Sequence, residues 1–161
     1  MNQEKASFLK SRFLPLLKQI PTDRQPQWGK MTLQQMIEHF SDSVRIASGK
    51  TTVTDIVTPE EQLEKMRMFL MSDKPFRENT PNPLMPEVPA PVRNVSAGDA
   101  INELQKELNY FFSVFEKNNL QVTRNPFFGD LNYEQNLQLL HKHAMHHLKQ
   151  FGIILNPGTT T

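Results

Sequence analysis

Four of the chain's five histidines fall within seven residues, in the segment HKHAMHHLKQFG from His141 to Gly152. Imidazole nitrogens ligate zinc, nickel, copper and iron, so such a segment raises the question of a metal site. A helix turns about 100° per residue. On that wheel Leu137, Leu140, Ala144, Leu148 and Phe151 form one apolar arc, and His143 and His147 sit on its shoulder, one turn apart. Two imidazoles at this spacing can reach a single ion. Two partly buried rings satisfied by water are the alternative. His141 and His146 point to other sides of the helix and are expected to be exposed. A third ligand has to come from elsewhere, and His39 is the only histidine left. It lies on the flank of its own apolar stripe, about 110° from the centre and beside Met36, where it can face a neighbouring helix or water.

Other chemistries find little support. The chain has no cysteine, which excludes disulfides, thiolate ligands and a cysteine nucleophile. Eighteen basic and seventeen acidic residues nearly cancel, and no basic block stands out. A nucleic-acid footprint is therefore not expected. The N-terminus is charged and amphipathic, unlike a signal peptide, and no apolar run is long enough for a membrane span. These features predict a soluble cytoplasmic domain. No Ser-His-Asp pattern or glycine-rich phosphate loop is visible. Asp73, Arg77 and Arg93 border a proline-rich segment where they could read a substrate's charge, though a solvated surface role is the commoner one. Met66, Met68 and Met71 either line a pocket or pack as ordinary core.

The elements that must position these residues are read from apolar spacing. Residues 3–20 predict one helix with Phe8, Leu9, Phe13, Leu16, Leu17 and Ile20 buried, ended by Pro21. A second starts at the Thr32 cap, with Gln35 at the reciprocal capping-box position, and stops at Gly49. Its stripe is Leu33, Met36, Ile37, Phe40, Val44 and Ala47, and Trp28 anchors the turn into it. A shorter helix over 58–70 has Thr58 as cap and Pro59 in the first position. Residues 75–95 form an irregular proline-rich loop, which excludes regular structure. Ile101, Leu104, Leu108, Phe111 and Phe115 mark a helix over 96–118, capped by Ser96. The last runs from Tyr133 to about Phe151, capped by Asn132 with Gln135 at the box position, and residues 153–161 make a frayed tail. Strand signals are almost nil, the β-branched run TTVTDIV at 51–57 being the only one. The prediction is one all-α domain over 1–161: a four-helix bundle with one extra short helix.

Two segments carry a resemblance to a known family. WGKMTLQQMIEHFSDSVRIASG, residues 28–49, and NPFFGDLNYEQNLQLLHKHAMHHLKQFG, residues 125–152, are similar to the DinB-like (YfiT-like) superfamily of bacterial metalloenzymes. They are closest to a branch described as a domain of unknown function. The shared patterns are W-G-K-M-T, then Q-M and a histidine, and N/H-P-F-F-G-x-L followed by H-x-x-H-H-x-x-Q-F-G. Together they cover about a third of the chain. The resemblance implies a four-helix bundle with one overhand connection, which the long proline-rich link fits. It implies a divalent metal held by His39, His143 and His147, zinc in the first place and nickel next. It also implies a metal-dependent enzyme acting on small molecules, either a transferase joining a thiol of the bacillithiol or glutathione type to an electrophile, or a hydrolase. Asp42 and Glu38 are the nearest carboxylates to His39 in sequence, and Gln150 matches the family pattern; all three are candidates to orient the ligands or to take part in catalysis. The alternative function is a non-catalytic bundle that binds a metal or small molecule, or forms a homodimer. No role for His141 or His146 transfers.

Overall fold

The computed structural model describes residues 2–156. The chain is mostly helical, with one small two-stranded sheet. The helices are α1 (Asn2–Ser11), α2 (Phe13–Gln19), α3 (Leu33–Ser48), α4 (Glu60–Met71), α5 (Ala97–Lys117) and α6 (Tyr133–Gln150). The strands β1 (Thr123–Asn125) and β2 (Gly129–Leu131) lie between α5 and α6 and pair antiparallel, Thr123 opposite Leu131.

The predicted helix over 3–20 is two. Pro15 sits in the first turn of α2, where its missing N–H costs nothing there but leaves the Ser11 carbonyl without its helical donor. The pattern breaks at Arg12, and the chain leaves α2 at Ile20. α3 starts as expected, with a full capping box between Thr32 and Gln35, and closes on Gly49 at φ +79°. α4 begins later than expected. The Thr58 hydroxyl does not cap it but donates to the Phe127 carbonyl at 2.7 Å, and Pro59 stands at the cap position without a side-chain bond. The run 51–57 is not a strand; the strands lie at 123–131 instead. There the Asn125 side-chain oxygen accepts from the N–H groups of Phe127 and Phe128 and turns the chain, and Gly129 takes φ +77°. Of the predicted tail, residues 153–156 are irregular and 157–161 lie outside the described residues.

One core joins α1, α2, α3, α5 and α6, through Phe8, Phe13, Phe40, Leu104, Phe111 and Leu148 among others. Each fully buried side chain of this size contributes about 1.5–3 kcal/mol. A smaller cluster of Leu70, Phe128 and Leu131 seats α4 against the hairpin and α6. α3 packs most extensively on α5, while α6 touches α1, α3 and α4. α6 is therefore covered on more than one side. Besides its apolar arc it buries Gln138 and Lys142, both placed on the opposite face. Their polar ends meet the end of α4: the Lys142 ammonium donates to the carbonyls of Phe69, Ser72 and Lys74, and the Gln138 amide donates to those of Leu70 and Ser72.

The proline-rich loop is thus held at its first end by α6, and its far end is held by α3. The buried Glu38 carboxylate accepts from the backbone N–H groups of Arg93 (2.7 Å) and Asn94 (3.4 Å). Gln34 and Gln35 donate to the carbonyls of Asn94 and Ala90. Glu103 of α5 completes this knot by accepting from Arg93, Arg45 and Asn94. Burial pushes the Glu103 carboxyl up, but these three donors outweigh it and hold its pKa at about 2. A carboxyl depressed on folding adds stability above its unfolded value, near 4.3, and loses it as pH falls towards the folded value. Acid unfolding followed by circular dichroism should therefore show a stability loss between about pH 5 and 2 that Glu103→Gln removes. An unchanged acid profile in that variant would show that the knot contributes nothing.

Candidate metal centre

His39 is carried by α3, and His143 and His147 by α6, at the contact between the two helices. The structure brings the three together: one ligating nitrogen from each lies within 4.8 Å of the others. Ring centroids are 5.2 Å apart for His39–His143, 5.4 Å for His39–His147 and 4.4 Å for His143–His147. Two nitrogens bound to one ion at about 2.0–2.1 Å stand at most about 4.2 Å apart, so modest side-chain rotation closes the remaining gap. Among the described residues this is the one group of three or more histidines and carboxylates with such spacing.

The orientation of His147 follows from a chain of hydrogen bonds. The Gln150 amide nitrogen donates to the Trp28 carbonyl at 2.9 Å, which turns its oxygen towards His147. That oxygen can only accept, and it lies 2.8 Å from His147 Nδ1. Nδ1 therefore carries the proton, and Nε2 presents its lone pair on the other side of the ring. His147 Nε2 faces His143 Nε2 at 2.7 Å. Such a partner on the far nitrogen is the usual way of fixing the tautomer of a metal-ligating imidazole. Gly29 makes room for it. Its φ is +78°, and an added Cβ would stand 3.1 Å from the Gln150 amide nitrogen. The segment before α3 and the end of α6 are thus coupled through Trp28, Gly29 and Gln150.

The electrostatics keep the rings neutral, as ligation requires. Burial lowers the pKa of His147 to about 3, and His39 beside it pushes the same way. Burial, with His147 and His39 next to it, lowers His143 well below its usual range. His39 is lowered by burial too, with Asp42 offsetting part of the effect. Aromatic rings wall the site. Phe40 stacks on His143 at 4.9 Å, Phe76 meets it edge-on at 6.3 Å, and Trp28 packs against His146 at 5.3 Å.

The other candidates fall elsewhere. Glu38 is spent on the backbone of the proline-rich loop, as described above. Asp42 bonds Arg45 at 2.8 Å and Arg93 at 3.1 Å. Neither carboxylate hydrogen-bonds a histidine of the triad among the contacts of the described residues, because residues one and three positions along a helix from His39 leave in different directions. Asp42 reaches His39 only through its field. Arg93, expected at the loop's edge, is bound into the Glu103 knot rather than free. Arg77 is exposed, Met68 and Met71 are exposed, and Met66 packs beside the Leu70 cluster. His141 and His146 are not the exposed residues expected. His141 lies edge-on to Phe8 at 5.4 Å, and burial brings its pKa to about 4. His146 is wedged among Trp28, Phe76 and His147. Sequence reasoning missed the roles of Phe40 and Phe76; the place of Phe40, one residue from His39, was the available signal.

No family model, curated protein or solved structure matches the chain. Three imidazoles converging from two helices, with no thiolate or carboxylate among them, can hold a metal ion. Gln150→Ala should remove the partner of His147 Nδ1 and weaken zinc binding by about 10–100-fold. A competition titration against a chelator measures this, and affinity equal to wild type would show that the amide does not orient the ring.

Proposed function

We propose that the chain is a DinB-like protein, a four-helix bundle with one overhand connection, whose His39, His143 and His147 hold a catalytic divalent ion. Zinc is the first choice and nickel the second, since all-imidazole ligation suits both. The observation that carries this reading is the convergence of the three rings, one nitrogen from each within 4.8 Å of the others, with the Gln150 amide oxygen 2.8 Å from His147 Nδ1. Two motifs that resemble the family supply the same three histidines.

When bound, such an ion supplies Lewis acidity, lowering the pKa of a thiol or a water. Three protein ligands leave room for a substrate, which is the pattern of catalytic rather than structural sites. The residues of this chain do the rest. The triad would bind the ion, Gln150 orients His147, and Phe40 and Phe76 pack against His143. The favoured reaction is transfer of a low-molecular-weight thiol, of the bacillithiol or glutathione type, to an electrophile; hydrolysis is the other outcome of the same chemistry. In that transfer the thiol sulfur would bond to the electrophilic carbon, whose leaving group would depart as an anion, and the thiol proton would go to solvent, for no carboxylate is hydrogen-bonded to the triad among the described residues.

That last observation also favours a second reading, a non-catalytic, dimerising metal-binding bundle. Zinc-loaded protein, made without a histidine tag, is incubated with glutathione or bacillithiol and 1-chloro-2,4-dinitrobenzene. The enzyme reading expects turnover that chelator abolishes and added zinc restores. Turnover equal to the uncatalysed rate for both thiols, with zinc bound, favours the second reading.

A further inference from the structure

A cavity of about 300 Å³ opens on the other side of the His146 and Phe76 rings from the triad. Its apolar wall comes from Phe76, Met145 and the chain after α6, at Ile153, Ile154 and Leu155. Its polar wall is cationic: Lys5, Lys74, Lys142 and Lys149 line it, against Asp73 and Glu78.

These charges are unevenly matched. Glu78 is spent on Lys149, at 2.8 Å. Lys142 is only 7% exposed, and its ammonium is solvated by three backbone carbonyls and by the faces of Phe69 and Phe76. Carbonyl dipoles satisfy its donors but do not cancel its charge. Among the described residues neither Lys142, Lys74 nor Lys5 is in a salt bridge. Lys5 donates to the Gln138 side-chain oxygen, which leaves two of its three N–H groups unspent. A cavity walled on one side by hydrocarbon and on the other by excess positive charge favours one chemical class.

We propose that this cavity binds a small organic carboxylate, its anionic head against Lys5 and its apolar body against Met145, Ile153 and Leu155. The site is separate from the histidine triad and exists whether or not an ion is bound there. Two of its lining rings, Phe76 and His146, also touch His143 and His147.

The test uses the full chain with isotope-labelled isoleucine, leucine and methionine methyl groups and two probes of equal shape, hexanoate and hexanamide. Hexanoate should shift the methyl signals of Met145, Ile153 and Leu155 and bind at least about tenfold tighter than the amide. Lys5→Gln should remove most of that preference without weakening the amide, and Met145→Trp, which fills the cavity, should abolish both. The titrations are repeated with chelator and in His39→Ala, which leaves the cavity wall intact. Binding that persists there supports the inference even if no metal is ever found. Loss of hexanoate binding in His39→Ala would place the anion at the triad and overturn it. Equal affinity for the two probes, no binding of either, or a silent Lys5→Gln would overturn it too.

Discussion

His39→Ala should purify with less than about a tenth of an equivalent of zinc, where the wild-type chain should carry about one, because two imidazoles four residues apart hold the ion too weakly alone. The effect is the largest expected of any single substitution on the site. His143 and His147 lie on one helix and share one approach; His39 alone brings a ligand from α3, and it does so at ring distances of 5.2 and 5.4 Å. Metal analysis of protein made without a histidine tag reads the result. The fold should survive, since His39 is half-buried beside the core rather than within it. Circular dichroism and thermal unfolding of metal-free wild type and variant should therefore agree closely. Full zinc retention in His39→Ala would show that α6 binds the ion without α3.

Phe40→Ala gives the largest expected loss of stability, about 3–5 kcal/mol in a urea titration. The ring is completely buried and packs on Phe13 at 4.8 Å on one side and on His143 at 4.9 Å on the other. Its removal leaves a cavity between α2, α3 and α6 that close-packed neighbours cannot refill. The same change frees the His143 ring, so zinc affinity should fall as well. Phe40→Leu separates the two effects: it restores much of the volume, hence much of the stability, but not the flat surface against which His143 stacks. Stability within about 1 kcal/mol of wild type in Phe40→Ala would mean that this packing is looser than the structure indicates.

The triad was legible because its chemistry leaves few choices. The i, i+4 pair follows from helical spacing, and His39 was a candidate for the third corner by count, made a ligand only by what the resemblance implies; the structure brings it to the pair. Gln150 was legible only through that resemblance. Its reason is structural: Trp28 and Gly29, in the other motif, hold its amide. Glu38 and Asp42 were poor candidates because nearness in sequence on a helix is not nearness in direction, and the backbone N–H groups of Arg93 and Asn94 that claim Glu38 come from 55 and 56 positions away. The placement of His141 and His146 was hidden for another reason. Apolar periodicity reveals one buried face, whereas α6 is covered on two. The second cover is made by polar contacts to the end of α4, and Lys142 and Gln138 look like surface residues in any one-dimensional reading. The break at Arg12 was readable from Pro15, but a proline in the first turn of a helix looks much like one tolerated inside a longer pattern. The hairpin escaped because three-residue strands carry almost no alternation; its signal is the turn chemistry of Asn125 and Gly129.

The most direct measurement is a crystal structure of the zinc-soaked protein with data collected on both sides of the zinc edge. A single anomalous peak is expected between α3 and α6, about 2.0–2.1 Å from one nitrogen each of His39, His143 and His147, with Gln150 still bonded to His147 Nδ1. A peak bound to the α6 pair alone with the His39 ring turned away, or no peak at the triad with zinc in excess, would contradict the account.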